Sequence, residues 1–162
     1  MKHILFVCTG NTCRSPMAQA IWEDMLEKEG FKKNEDYTVG SAGIFASPGS
    51  PASVEAIRVM EELGVDLRHH RSQMINDELL AQADIILTMT RSQRDLLRSE
   101  YPDQKARVFT LADYVEQEDA DILDPFGMGT DTYRDAANQI KRLLLRLFDK
   151  YVSRFKKNNV SE

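Results

Sequence analysis

The stretch Cys8-Thr9-Gly10-Asn11-Thr12-Cys13-Arg14-Ser15-Pro16 holds the residue types best suited to chemistry. The thiolate is the nucleophilic form of cysteine, and a helix N-terminus with a cation nearby favours it at Cys8. Arg14 follows at Cys-x-x-x-x-x-Arg spacing. Its planar guanidinium can grip two phosphate oxygens and favour a charge-dispersed transition state. Ser15 can donate a hydrogen bond to Cys8 and steady it as thiolate or leaving group. A tight loop around Gly10 can aim several N–H groups at one point, and a following helix adds its own unpaired N–H groups. Such a cradle holds a phosphate without any basic patch elsewhere. The chemistry is then covalent: Cys8 attacks phosphorus, and water hydrolyses the thiophosphate. A nucleotide-binding loop fits poorly, because the Lys-Ser/Thr ending of a P-loop and the glycines of G-x-G-x-x-G are missing.

A departing group must be protonated, or at least oriented. The candidate is Asp124 in Ile122-Leu123-Asp124-Pro125-Phe126-Gly127. Pro125 biases Asp124 toward extended backbone and stiffens the loop. Phe126 is expected to form a wall that excludes water. Asp-Pro is also a common turn pair, so this assignment leans on Cys8 and Arg14. Cys13 has two open readings: a reversible disulfide with Cys8, or a small buried residue facing the core. His3, His69 and His70 show no metal spacing with the cysteines. Tyr114 and Tyr133 flank the Asp124 loop, and packing or surface roles are expected for both. Trp22 is expected to be partly buried. The basic end of the last helix, from Lys141 to Lys157, reads as a solvated face that complements the helix dipole.

These residues need elements to position them. Ile4-Leu5-Phe6-Val7 is a short continuous apolar run, as in a strand buried on both faces. A helix follows, capped by Ser15, with Pro16 in its first turn and Gly30 closing it. Tyr37-Thr38-Val39 reads as a second strand, before a Ser41-Ala42-Gly43 turn and a Pro/Ser/Gly loop over 46–51. A helical run from Ala52 to Leu63 stops at Gly64, and a short helix starts at Asn76-Asp77-Glu78. Asp84 to Met89 is a third strand, Ser92 to Glu100 a helix and Arg107-Val108-Phe109 a fourth strand. The segment 114–130 is loop, and the last helix runs from about Asp131 to Phe155 with an apolar stripe. Strands alternating with helices predict an α/β fold: a parallel sheet covered on both faces.

Composition excludes other classes. A chain of 162 residues is one domain, read as 1–157 with a short tail over 158–162. Hydrophobic residues at 42% and charged residues at 29% fit an ordinary globular protein. The net charge of −5 disfavours non-specific nucleic-acid binding, which rests on phosphate neutralisation. Two cysteines exclude a disulfide framework and a four-cysteine zinc site. No apolar run reaches the length of a signal peptide core or a membrane helix, so no membrane partner and a cytoplasmic location with reduced thiols are expected.

The segment Val7 to Pro16, together with Asp124-Pro125-Phe126, resembles the low-molecular-weight protein tyrosine phosphatase family. Ser41-Ala42-Gly43, His70 in His69-His70-Arg71-Ser72, and Ala83-Asp84-Ile85-Ile86-Leu87-Thr88-Met89 match its patterns too, so the resemblance covers nearly the whole chain. It implies a Rossmann-like four-stranded parallel sheet with helices on both faces, and no metal or cofactor. It implies Cys8 as nucleophile, Arg14 as phosphate clamp and Asp124 as general acid and then base. Thr9, Gly10, Asn11, Thr12, Cys13, Ser15 and Phe126 would contact substrate, and Asn11, Ser15, Ser41 and His70 would hold the loop by a hydrogen-bond network. The implied partners are phosphorylated proteins; a monomer is favoured, with the oligomeric state left open.

Thr9 and Thr12 depart from the Leu and Ile of many tyrosine-specific members, and the loop with Thr12 resembles the bacterial protein-arginine phosphatase branch. Thr keeps the β-branched backbone preference of Ile but makes that wall shorter and more polar. An aryl ring loses apolar contact there, whereas a phosphoguanidinium tolerates it. Asp124 can accept hydrogen bonds from a planar guanidinium. The expected substrate is therefore phosphoarginine, with phosphotyrosine as the alternative. Thioredoxin-linked arsenate reductase has a similar loop but needs two more cysteines, and none follows Cys13. A non-enzymatic phosphate-binding module would be expected to lose Cys8, Arg14 or Asp124, and all three are present.

Overall fold

The computed structural model describes residues 2–117 and 121–159. Strands β1 (His3–Cys8), β2 (Thr38–Gly43), β3 (Ile85–Thr88) and β4 (Val108–Thr110) form one sheet in the order β2-β1-β3-β4, with every neighbouring pair parallel. The helices are α1 (Arg14–Lys28), α2 (Val54–Glu62), α3 (Asp77–Gln82), α4 (Arg91–Glu100), α5 (Leu111–Tyr114) and α6 (Thr130–Asn159). Side chains alternate along a strand, and β1 uses both faces. Ile4, Phe6 and Cys8 pack in one core with residues of α1, α2 and α6, such as Met17, Met60 and Leu144. Leu5 and Val7 pack in a second core with Leu80 of α3 and Leu97 of α4. This is the expected sheet covered on both faces. The chain goes from β1 to β2 on one side and then crosses to β3 on the other. In such a sheet the C-terminal ends of β1 and β3 border the crevice where ligands bind.

Several local expectations change. Ser15 does not cap α1: the N-cap is Cys13, and no side chain caps this helix. Ser15 lies inside the first turn, with its hydroxyl toward Cys8. Ser41-Ala42-Gly43 is not a turn but the end of β2, paired with Phe6, Val7 and Cys8. Helix α2 begins at Val54 behind a Ser53 cap, and α4 begins at Arg91 behind a Thr90 capping box. Helix α5 and a 3₁₀ turn over Pro102–Arg107 were not legible, since neither is long enough to show a clear helical period. Helix α6 continues through Asn159, so the first two residues of the expected tail are helical, and 160–162 lie outside the described residues. Trp22 is fully rather than partly buried, edge-on to Tyr151 at 5.6 Å and Phe148 at 6.4 Å. Among the described residues no helix is long and apolar enough to cross a membrane.

Candidate active site

Strand β1 ends at Cys8 and α1 begins at Arg14, so the segment between them must turn tightly over the end of the sheet. It closes on a cleft of about 220 Å³ lined by every residue from Cys8 to Arg14, together with Asp124 and Phe126. Two features permit the close turn. Asn11 takes a left-handed backbone, with φ of 57°. Gly43 lies directly beneath: a Cβ there would come within 2.6 Å of the Thr9 carbonyl oxygen and 3.0 Å of the Asn11 nitrogen. Backbone bonds from Ile44 N–H to Cys8 O (3.0 Å) and from Phe45 N–H to Thr9 O (2.9 Å) tie the loop to the end of β2.

The polar groups under the loop admit one consistent assignment. The Gln73 N–H donates to Asn11 Oδ1 at 3.0 Å, which fixes the orientation of the Asn11 amide. Asn11 Nδ2 then donates to Ser15 Oγ at 2.8 Å and to Ser41 Oγ at 2.9 Å. Ser15 Oγ, having accepted, turns its own proton to Cys8 Sγ at 2.9 Å. Cys8 is thus held as an acceptor, the arrangement that suits a thiolate. His70 Nε2 lies 2.7 Å from the Asn11 carbonyl, which can only accept, so this nitrogen carries the proton. Burial pushes the His70 pKa below the ordinary histidine value, with the Asn11 carbonyl opposing and Arg71 adding to the shift. The network implied for Asn11, Ser15, Ser41 and His70 is therefore assembled. Cys8, Asn11, Ser15 and Ser41 are all buried.

Arg14 is buried, and Nη1 donates to the Ile122 carbonyl at 3.0 Å. Nη2 lies 3.6 Å from Asp124 Oδ2. Asp124 is 58% exposed, and Oδ1 accepts the Phe126 N–H at 3.1 Å, which shapes the Asp-Pro-Phe turn. The Ile122 N–H donates to the Met89 carbonyl just beyond β3, so this second loop is moored to the sheet by Ile122. Phe126 lines the cleft but is 71% exposed. It forms a rim rather than the closed wall expected of it.

Cys13 faces the other way. Its sulfur contacts Tyr133 Oη at 3.3 Å and Ser53 Oγ at 3.6 Å. Burial, chiefly, pushes the Tyr133 phenol up to about 12, so it stays protonated. Neither cysteine is held in a disulfide. Tyr133 therefore packs behind the loop, and Tyr114 packs on Phe109, away from the cleft. Among the described residues no cluster of His, Cys, Asp and Glu suits a metal ion.

The structure brings Cys8, Arg14 and Asp124 to one cleft across 116 positions of sequence, from residue 8 to residue 124. Sequence reading missed Gln73, Ile122 and Gln93. Gln93 Oε1 accepts the Met89 and Thr90 N–H groups, both at 3.0 Å, which aims Nε2 at Thr9 Oγ1, also at 3.0 Å. The one available signal was Thr90-x-x-Gln93, a capping box just after β3.

A family profile described as "Low molecular weight phosphotyrosine protein phosphatase" matches residues 3–160. The chain is 40% identical over 144 residues to the protein-arginine-phosphatase of Bacillus subtilis (strain 168), covering 89% of this chain and 93% of that one. It is 42% identical over 147 residues to the protein-arginine-phosphatase of Geobacillus stearothermophilus, covering 91% of this chain and 94% of that one. A solved structure of a YwlE arginine phosphatase mutant with a phosphorylated active-site serine superposes with a TM-score of 0.86 at 38% identity, covering 91% of this chain and 94% of that one.

Proposed function

The chain belongs to the low molecular weight phosphotyrosine protein phosphatase family, and within it we propose a protein-arginine phosphatase that works through a phosphocysteine on Cys8. Cys8 Sγ attacks the phosphorus of a protein phosphoarginine, the P–N bond breaks, and Asp124 delivers a proton to the departing guanidine nitrogen. Asp124 then takes a proton from water as the water oxygen attacks phosphorus and the S–P bond breaks, releasing inorganic phosphate and the Cys8 thiolate. Arg14 and the backbone N–H groups of the loop balance the phosphoryl charge in both steps. Ser15 stabilises the thiolate, and Asn11, Ser41 and His70 fix Ser15 and the loop. The thiophosphate reading is supported by the similar protein whose active-site serine was found phosphorylated.

The observation that carries the substrate is the placement of two threonines in the cleft wall. Thr9 and Thr12 line the same cleft as Asp124, with Phe126 the one aromatic side chain among the lining residues. That wall suits a guanidinium better than a ring packed on two sides. Burial of a substrate side chain against such walls discriminates by about 10–200-fold. Two free cysteines support a cytoplasmic setting for this chemistry. The test is hydrolysis of phosphoarginine and phosphotyrosine peptides of one sequence, by native protein and by Thr12→Ile. Native protein is expected to prefer phosphoarginine, and Thr12→Ile to move the ratio toward phosphotyrosine. A native preference for phosphotyrosine that Thr12→Ile leaves unchanged would overturn the arginine assignment and leave the alternative, phosphotyrosine.

A further inference from the structure

The surface does not end at the cleft. Thr9, Arg14 and Asp124 also line a neighbouring depression whose other walls include Ile44, Phe45, Thr90, Gln93 and Leu96. Ile44, Phe45 and Leu96 then continue into a pit of about 130 Å³ completed by Met74, Ile75, Leu97, Glu100 and Tyr101. One groove therefore runs from Cys8 over the N-terminal end of α4 to its C-terminal end. The floor of the pit is buried Ile44, Ile75 and Leu97, while Phe45 at 71% and Met74 at 48% stand exposed on its rim.

The pit is held at a fixed place relative to the nucleophile. Ile44 and Phe45 are bonded through their backbone to Cys8 and Thr9, and the Ile75 N–H donates to Gly43 O at 3.0 Å. A phosphorylated side chain that reaches Cys8 brings its polypeptide with it, and that polypeptide has to leave across the rim. The groove is one exit. Along it, peptide polar groups pass Thr90 and Gln93 before a following side chain meets the pit. Phe45 and Met74 stand exposed around a buried apolar floor, an arrangement that one apolar side chain of a bound polypeptide would cover. Continuity with the cleft makes the substrate chain the occupant. A pit of this size takes one side chain rather than a helix.

We infer that the pit formed by Ile44, Phe45, Met74, Leu96 and Tyr101 is a subsite for an apolar side chain of the substrate polypeptide, a few residues from the phosphorylated one. The inference rests on the phosphatase reading above, but not on which side chain carries the phosphate. The test walks a single leucine through otherwise polar phosphoarginine and phosphotyrosine peptides, with free phosphoarginine and an aryl phosphate as references. At one position leucine is expected to raise kcat/KM, relative to the small reference, by about tenfold. Leu96→Asp and Met74→Glu should each reduce that gain to less than about twofold. Leu96 is half-buried, so Met74→Glu, on the exposed rim, is the variant whose folding is not at issue. No response at any position in either series, or a gain that survives both variants, would overturn the subsite and leave the phosphatase reading standing. No hydrolysis of either small reference would overturn both.

Discussion

The two loops that meet at the cleft are built differently. The Cys8–Ser15 loop is anchored by buried Cys8, Asn11, Cys13, Arg14 and Ser15 and is over-determined: Asn11, Ser15, Ser41, His70 and Gln73 bond one another beneath it, and Gly43 packs against its backbone. The Asp124 loop is mostly exposed and moored through Ile122 to Met89 and Arg14. The helix caps tell the same story. Helices α2 to α5 are each capped by a side chain, from Ser53, Asn76, Thr90 and Thr110, whereas α1 has none. A side-chain cap at α1 would occupy N–H groups that the proposed phosphate site uses. The lesson is a division of labour. The nucleophile needs a fixed geometry, which burial supplies, and the acid needs access to a changing leaving group and water, which exposure supplies.

Substitutions sharpen that contrast, beginning with the chemistry itself. Cys8→Ser should lower aryl phosphate hydrolysis by roughly 10⁴-fold or more, since it removes the attacking sulfur. Equal rates in the native protein and Cys8→Ser would remove the covalent mechanism. Asp124→Asn should lower kcat by about 10²–10⁴-fold, since it removes the proton donor to the leaving group. Because Asp124 is exposed, the thermal midpoint should barely move in the same variant.

The next two substitutions test stability. Asn11→Ala removes the partner of Ser15, Ser41 and Gln73 and leaves buried groups unsatisfied, a loss of about 1–3 kcal/mol for each such group. Urea unfolding should show it, and kcat should fall with it as Ser15 loses its fixed direction. Phe126→Ala, on the other loop, should change stability by no more than about 0.5 kcal/mol and act mainly on KM. An Asn11→Ala protein as stable and as active as the native one would break the comparison.

The smallest effect is one of pH. Burial holds the pKa of His70 below its unfolded value, so the unfolded state binds the proton more readily. The stability that neutral His70 supports is therefore present above about pH 6.5 and is lost as pH falls from there toward the folded value. His3, also lowered chiefly by burial, contributes in the same direction. Unfolding measured from pH 8 down to pH 5 should show the decline, and His70→Gln should flatten part of it.

What could be read from the sequence follows from how locally it is encoded. Cys8, Arg14 and the helix after them stand within one short stretch, between a buried strand and a helical period, so the loop and its chemistry were legible. Asp124 was legible as a candidate because Asp-Pro-Phe-Gly is chemically suggestive, yet only the fold sets it 3.6 Å from Arg14. Ser15 looked like a cap because serine before proline usually is one. Its hydroxyl instead serves Cys8, a choice made by the Asn11 amide and not by local sequence. Ser41-Ala42-Gly43 looked like a turn because its residues are small. Gly43 has no room for a Cβ because the loop passes directly over it, a tertiary fact. Gln93 reaches Thr9 across 84 positions, and the Thr90-x-x-Gln93 capping box announces a helix start but not that contact.

The central claim is that phosphate passes from arginine to Cys8 and then to water. The most direct test is rapid quenching of the Asp124→Asn and native proteins with matched phosphoarginine and phosphotyrosine peptides, followed by mass spectrometry of the peptide that contains Cys8. The account predicts a phosphoryl group on Cys8, formed faster from phosphoarginine and longer-lived in Asp124→Asn, where activation of water is impaired. Phosphate release with no adduct on Cys8, or an adduct formed from phosphotyrosine alone, would contradict it.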